Sequence, residues 1–230
     1  MTVRYAIYWA PPSADPLGRF GAEWLGRDAE TNEGVAQPRV AGVSPDELAR
    51  LTAEARRYGF HATLKPPFAL APGRSEDDLL AAVAAFTRRR AKVLLPGLAL
   101  VSLDGFLALT PADRSPALEA LAEDCVRAFE TFRAPPSEAE LARRRAAGLT
   151  LRQEELLKRW GYPYVLDEFR FHLTLTGRLD ADQRRRLEPE LARRVAVFAG
   201  PLAIDAVSVF REAAPGAPFS VVARLGLESA

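Results

Sequence analysis

The sequence predicts an α+β protein of two lobes with mainly antiparallel sheets. Two observations carry this. Short apolar runs with strand periodicity are separated by helices that have clear capping signals. The order strand, capped helix, strand, turn, strand then occurs twice, over about residues 59–109 and about residues 170–227. Identity between the two units is low, so the repeated order is the signal. Two such units related by approximate two-fold symmetry give a pseudo-symmetric, bilobal protein. At 230 residues we read a single domain, with a helical insert at about residues 135–166 lying outside the repeat.

The elements follow in order. Val3, Tyr5, Ile7 and Trp9 share one face of a strand that Pro11 and Pro12 end. Leu17 to Leu25 has helical spacing, and residues 26–42 read as a loop. Ser44-Pro45-Asp46-Glu47 starts a helix expected to run to Tyr58, where Gly59 stops it. Phe60 to Lys65 is a strand closed by Pro66 and Pro67. Ser75 caps a helix through Phe86 and Arg90. Val93 to Leu103 and Phe106 to Leu109 are strands around Asp104-Gly105. A helix covers Ser115 to Phe132. In the insert, Ser137 and Thr150 begin helices, and Gly161-Tyr162-Pro163-Tyr164 is an aromatic loop. Phe169 to Thr176 is a strand, Asp180 caps a helix to about Val197, and Leu202 to Phe210 and Phe219 to Leu227 are the last strands.

The chain has only two histidines, and they sit in matching runs: Phe60-His61-Ala62-Thr63-Leu64 and Phe171-His172-Leu173-Thr174-Leu175. Strand alternation puts His61, Thr63 and Lys65 on one face, and Arg170, His172, Thr174 and Thr176 on one face of the second run. Each strand then has an apolar back for a core and a polar front. Facing each other, the fronts supply two imidazoles, hydroxyl donors and a cation. That set suits opening a phosphodiester: one neutral imidazole takes a proton, and the other, protonated, gives one to the leaving oxygen. Thr63 and Thr174 are placed to bond the non-bridging oxygens, and Lys65 or Arg170 to offset charge on phosphorus. Tyr8, on the strand face opposite Tyr5 and Trp9, is a candidate for the site. Tyr58, just before the first motif, is a candidate to stack on a base or sugar. The Arg143-Arg144-Arg145 run with Trp160, Tyr162 and Tyr164 marks the insert as a lid or recognition segment.

Composition excludes several classes. Lys and Arg number 31 against 30 Asp and Glu, which is no nucleic-acid coat. Cys125 is the only cysteine, expected as a small core residue in a reducing compartment. No HExxH, CxxC, GxxxxGK[ST] or GxGxxG pattern occurs, so no metal and no cofactor is expected. The apolar run in MTVRYAIYWAPP is too short for a signal peptide or membrane span, and the reading is a cytoplasmic protein without a membrane or obligate protein partner.

The paired His-x-Thr motifs in two repeated halves resemble the 2H phosphoesterase superfamily. The strings RYAIYWAPP, YGFHATLKPPF, WGYPY and FRFHLTLTG are similar to its branch of phosphonate-metabolism proteins. The resemblance implies a bilobal fold with helices on the outer faces and a cleft between lobes. It implies His61 and His172 as catalytic residues with Thr63 and Thr174 on the phosphate, without a metal. It also implies a small phosphorylated substrate, a ribose cyclic phosphate or nucleotide-like, with RNA a further class. The branch's association with carbon–phosphorus lyase genes implies ribose cyclic phosphates in particular. The expected activity is a cyclic phosphodiesterase. The alternatives are a non-catalytic binder of ribose phosphates or RNA ends and a phosphodiester-forming ligase.

Overall fold

Arg4–Trp9 forms β1, an inner strand of the largest sheet in a computed structural model that describes residues 2–146 and 148–228. Tyr5, Ile7 and Trp9 enter the main core, while Ala6 and Tyr8 pack with Phe210 and Phe219 on the other side. Helix α1, Pro16–Leu25, is capped by Asp15, whose carboxylate accepts the Leu17 N–H at 2.8 Å.

The helix expected over residues 44–58 is two helices, α2 at Pro45–Leu51 and α3 at Ala53–Tyr58. Thr52 separates them. Its hydroxyl bonds back to the Leu48 carbonyl at 2.9 Å and accepts from Gln37 and Arg56, each at 3.0 Å. Such a side chain competes with the helix ladder.

Strand β2, Ala62–Ala69, runs on through Pro66 and Pro67, which were expected to end it. It lies at the sheet edge, where a residue without an N–H is tolerated. Next come α4 at Glu76–Thr87, β3 at Val93–Leu95, β4 at Leu98–Leu103 and β5 at Phe106–Pro111. The single strand expected over residues 93–103 is broken by Pro96 and Gly97. A Cβ on Gly97 would lie 2.0 Å from the Ala199 carbonyl oxygen, so close backbone approach demands glycine there.

The remaining elements are α5 (Pro116–Ala128), α6 (Glu138–Arg145), α7 (Leu151–Trp160) and β6 (Leu173–Arg178), then α8 (Ala181–Val195), β7 (Leu202–Ile204), β8 (Ala206–Glu212) and β9 (Phe219–Gly226). Ser75, Ser137, Thr150 and Asp180 each close a capping box with the residue three positions on.

All strand pairs are antiparallel, in the orders β2-β1-β8-β9, β4-β5-β6 and β3-β7. The α+β class and the mainly antiparallel sheets are those the sequence predicts. The repeated order is also present, as β2-α4-β3-β4-β5 and β6-α8-β7-β8-β9. The units interlock. The first His strand, β2, joins the sheet that holds the hairpin β8-β9 of the second unit, and β6 pairs with the hairpin β4-β5 of the first. Strand β1 is inserted between β2 and β8, whereas β6 pairs directly with β5.

Each sheet turns one face to a shared core. Leu64 and Phe68 of β2 and Leu107 and Leu109 of β5 belong to one continuous apolar cluster, as do Leu173 and Leu175 of β6 and Val207 and Val209 of β8. Cys125 is fully buried in it, and burial pushes its thiol pKa up. The insert docks through Leu156 and Trp160 of α7 against Val126 of α5 and Val165. Among the described residues, no helix is long and apolar enough to cross a membrane.

Candidate active site

Both histidines stand one residue before a strand begins, His61 ahead of β2 and His172 ahead of β6. Each ring is held the same way. His61 Nδ1 lies 2.9 Å from the Gly59 carbonyl, and His172 Nδ1 lies 2.7 Å from the Arg170 carbonyl. A carbonyl can only accept, so Nδ1 carries the proton and Nε2 keeps a free lone pair. The two-residue step back to the carbonyl is thus a tautomer lock repeated in both halves. Gly59 reaches the required conformation at φ 77° and ψ 174°, a region essentially restricted to glycine. A Cβ there would also lie 2.6 Å from that of Ala29.

His61 sits on Tyr8, with ring centroids 3.8 Å apart and planes 25° apart. The register explains it, because Tyr8 of β1 is paired with Thr63 of β2. Thr63 Oγ1 is 3.3 Å from His61 Nε2. Burial lowers the His61 pKa to about 4, against the opposing hydrogen bond it donates to the Gly59 carbonyl and with help from nearby His172. Burial also lowers the His172 pKa, partly offset by its bond to the Arg170 carbonyl and reinforced by the Arg170 charge. Phe106 of β5 flanks His172 at 5.7 Å between centroids.

Both histidines, Thr63, Thr174, Tyr8 and Tyr58 line one cleft of about 620 Å³. Tyr58 stacks on Phe219 at 5.1 Å, so one face of its ring is already covered. Three other residues expected in the site are placed differently.

Lys65 is 1% exposed and points away from the cleft; its Nζ donates to the Val126 carbonyl and to Glu130, both at 2.9 Å. The cause is a bulge. Tyr8 pairs with Thr63 but Ile7 pairs with Lys65, so Leu64 is extra and the alternation changes phase. Burial lowers the Lys65 pKa, against its bond to Glu130. Lys65→Ala is therefore expected to cost about 2 kcal/mol of stability by leaving the buried Val126 carbonyl unpaired, while Glu130 keeps its bonds from Arg133. Urea titration measures that loss, and activity per folded molecule should stay within about twofold.

Arg170 lies in a separate depression with Arg114, Ser115 and Phe169. Residues 169–172 are not yet strand, so alternation does not extend back to it. Its contribution to the site is its carbonyl. Thr176 borders the cleft but is 1% exposed, and its hydroxyl accepts the Leu107 N–H at 3.0 Å. It replaces a ladder partner where the β5–β6 register shifts, and it is not free for a phosphate oxygen.

Several cleft residues lay outside the sequence-based site. Arg4 of β1, Arg57 of α3 and Arg178 of β6 join Arg143, Arg144 and Tyr162 of the insert along its walls. Arg4 and Arg57 share the carboxylate of the fully buried Glu212. Among the described residues, Glu54 is the one carboxylate lining the cleft. Repeat position alone points to Phe106, since it occupies in the first unit the place of Phe219 in the second.

Comparison with known proteins gives relatives of greater length. The chain is 45% identical over 223 residues to Ribose 1,5-bisphosphate phosphokinase PhnN of Janthinobacterium sp. (strain Marseille), covering 94% of this chain and 49% of that protein. It is 41% identical over 219 residues to the protein of the same name from Laribacter hongkongensis (strain HLHK9), covering 94% and 50%. The chain thus spans about half the length of the curated relatives it matches. Among solved structures it is similar to E. coli LigT complexed with 3'-AMP, at 11% identity and a TM-score of 0.48 over 100% of both chains. One family matches from Thr63 of the first motif, through the whole second motif, to β9: over residues 63–220 the chain belongs to the family described as Protein of unknown function (DUF1045).

Proposed function

We propose that the chain is a phosphoesterase that opens a cyclic phosphate or cleaves a phosphodiester of a ribose or nucleotide-type substrate by two-histidine acid/base catalysis. The observation that carries this is the paired tautomer lock, which leaves an unprotonated Nε2 on each of two neutral imidazoles in one cleft, that of His61 within 3.3 Å of the Thr63 hydroxyl. In the proposed step His61 Nε2 takes a proton from water as the water oxygen bonds to phosphorus. His172, protonated, gives a proton to the leaving sugar oxygen as its P–O bond breaks. His61 is assigned the accepting role because its pKa near 4 keeps it neutral at physiological pH. The Thr63 and Thr174 hydroxyls donate to the non-bridging oxygens.

The chemistry is read as metal-independent. Among the described residues no three His, Cys, Asp or Glu side chains are grouped to hold an ion. The names of the relatives support a ribose phosphate as substrate class. Their kinase activity finds no support here, since no GxxxxGK[ST] loop is present.

Phosphorus NMR of cyclic ribose phosphates, 2′,3′-cyclic nucleotides and short RNAs, with and without chelator, tests the proposal. A phosphomonoester product that forms equally fast with chelator is expected, whereas binding without product would favour a non-catalytic receptor. The pH profile adds a second check. With both imidazole pKa values lowered, kcat/KM for adenosine 2′,3′-cyclic phosphate should trace a bell whose maximum lies on the acid side of 6.5. A flat profile from pH 4 to 8 would argue against the pair.

A further inference from the structure

The cleft holds more positive charge than one phosphodiester needs, and the cations fall into two kinds. Arg4 and Arg57 are tied to Glu212. Arg143, Arg144 and Arg178 have no carboxylate within ion-pair distance among the described residues. Basic residues in the last turn of a helix complement its dipole, so an arginine run at the end of α6 is by itself no signal. The run, however, divides. Arg145 turns away and pairs with Glu154 at 2.8 Å. Arg143 and Arg144 face the cleft.

Their nearest intrahelical acid, Glu140, is occupied, because its carboxylate accepts from the Ser137 N–H at 2.9 Å and the Ser137 hydroxyl at 3.0 Å. The Arg144 guanidinium lies 4.6 Å from the centre of the Tyr162 ring, a cation–π contact that steadies it. Both guanidiniums thus line the same cleft, Arg144 resting on Tyr162, and neither makes an ion pair or hydrogen bond among the described residues.

We infer that Arg143 and Arg144 clamp a second, non-reacting phosphate, so that the substrate is a compact sugar carrying both a cyclic phosphate and a remote phosphomonoester. This rests on the proposed phosphoesterase reading and names its substrate class. Arginine suits the task, since its planar fork matches a phosphate in a bidentate way. A compact substrate fits better than a long RNA. Outside the cleft several surface arginines are paired with carboxylates, as in Arg127–Glu123, Arg152–Asp167 and Arg184–Glu188. Of the cleft tyrosines, Tyr58 has one ring face on Phe219 and Tyr162 has one ring face under Arg144.

The test uses matched pairs: ribofuranosyl 1,2-cyclic phosphate with and without a 5-phosphate, and adenosine 2′,3′-cyclic phosphate with and without a 5′-phosphate. The native protein should prefer a 5-phosphorylated member about ten- to a hundredfold in kcat/KM, mostly through KM, the size of one or two charge-assisted contacts. Arg143→Ala/Arg144→Ala should erase that preference while kcat/KM for the unphosphorylated partner stays within about threefold. Equal use of both members, a preference that survives the double variant, or better turnover of a long RNA ending in a cyclic phosphate would each overturn the inference. Calorimetric titration with ribose 5-phosphate separates the two claims. Binding that depends on Arg143 and Arg144, with no probe turned over, would uphold the clamp and sink the phosphoesterase reading. Turnover without such binding or preference would do the reverse.

Discussion

Replacing either His61 or His172 with alanine is expected to lower kcat by about a hundred- to ten-thousandfold, the range for loss of a general acid or base. The two losses should not add. Acid and base act on one bond, so once one is gone the other contributes little, and the double variant should fall within about tenfold of the worse single one. The accompanying structural effects should differ. His61 packs flat on Tyr8, so His61→Ala leaves that buried ring uncovered and should cost about 1 kcal/mol of stability. His172 meets Phe106 at a wider, tilted 5.7 Å, and its removal should be close to neutral. Single-turnover kinetics on a cyclic ribose phosphate, with urea titration of each variant, reads both effects. Retention of a tenth of native kcat in either single variant would sink the two-histidine mechanism.

The site was legible where its signal was local. Each His-x-Thr motif lies on adjacent residues, and the lock that orients each imidazole spans only two residues. Helix starts were legible for the same reason, since a capping box is complete within four residues. The expectations that failed depended on contacts far away in sequence. Lys65 fell on the wrong face because a bulge against β1 changes the phase of β2, and nothing within residues 60–65 announces it. Arg170 was placed by extending strand alternation into residues that are not yet strand. The exchange of hairpins between the units follows from strand pairings far apart along the chain, β1 with β8 and β5 with β6, which low-identity repeats cannot specify.

The arginines of the cleft were missed for another reason. Arg4, Arg57 and Arg178 come from three separate elements, and in a chain so rich in arginine none of them stands out. The Arg143–Arg145 run did stand out, yet only the fold shows that two of its members face the cleft and the third pairs with Glu154.

Glu212→Ala is expected to be the most damaging substitution for stability, at about 3–5 kcal/mol, because it leaves two guanidiniums facing each other without their shared carboxylate. Glu212 is fully buried at the end of β8 and binds Arg4 of β1, Arg57 of α3 and, at 3.0 Å, the Gly216 N–H. It therefore joins the inner strands to the helix that leads into Gly59 and His61. Glu212→Gln keeps the shape and an acceptor, and should lose roughly half as much. The same residue predicts acid sensitivity. Burial alone would raise its pKa, but the bonds from Arg4 and Arg57 outweigh that and hold it below the ordinary 4.5. A carboxylate depressed in the folded state contributes stability above its unfolded pKa and loses it as pH falls through the folded value.

His61 acts in a higher window with the same sign. Between its ordinary 6.5 and its folded value of about 4 the unfolded chain binds a proton that the native protein refuses, so stability falls as pH drops across that range. The fall should not exceed about 3 kcal/mol, and water in the open cleft reduces it. Urea midpoints from pH 7 to 3 should thus decline in two stages. His61→Ala should shrink the upper stage, to which His172 also contributes, and Glu212→Gln the lower. A midpoint that holds constant from pH 7 to 4 in the native protein would contradict the half-buried, neutral His61 on which the assignment of proton acceptor rests.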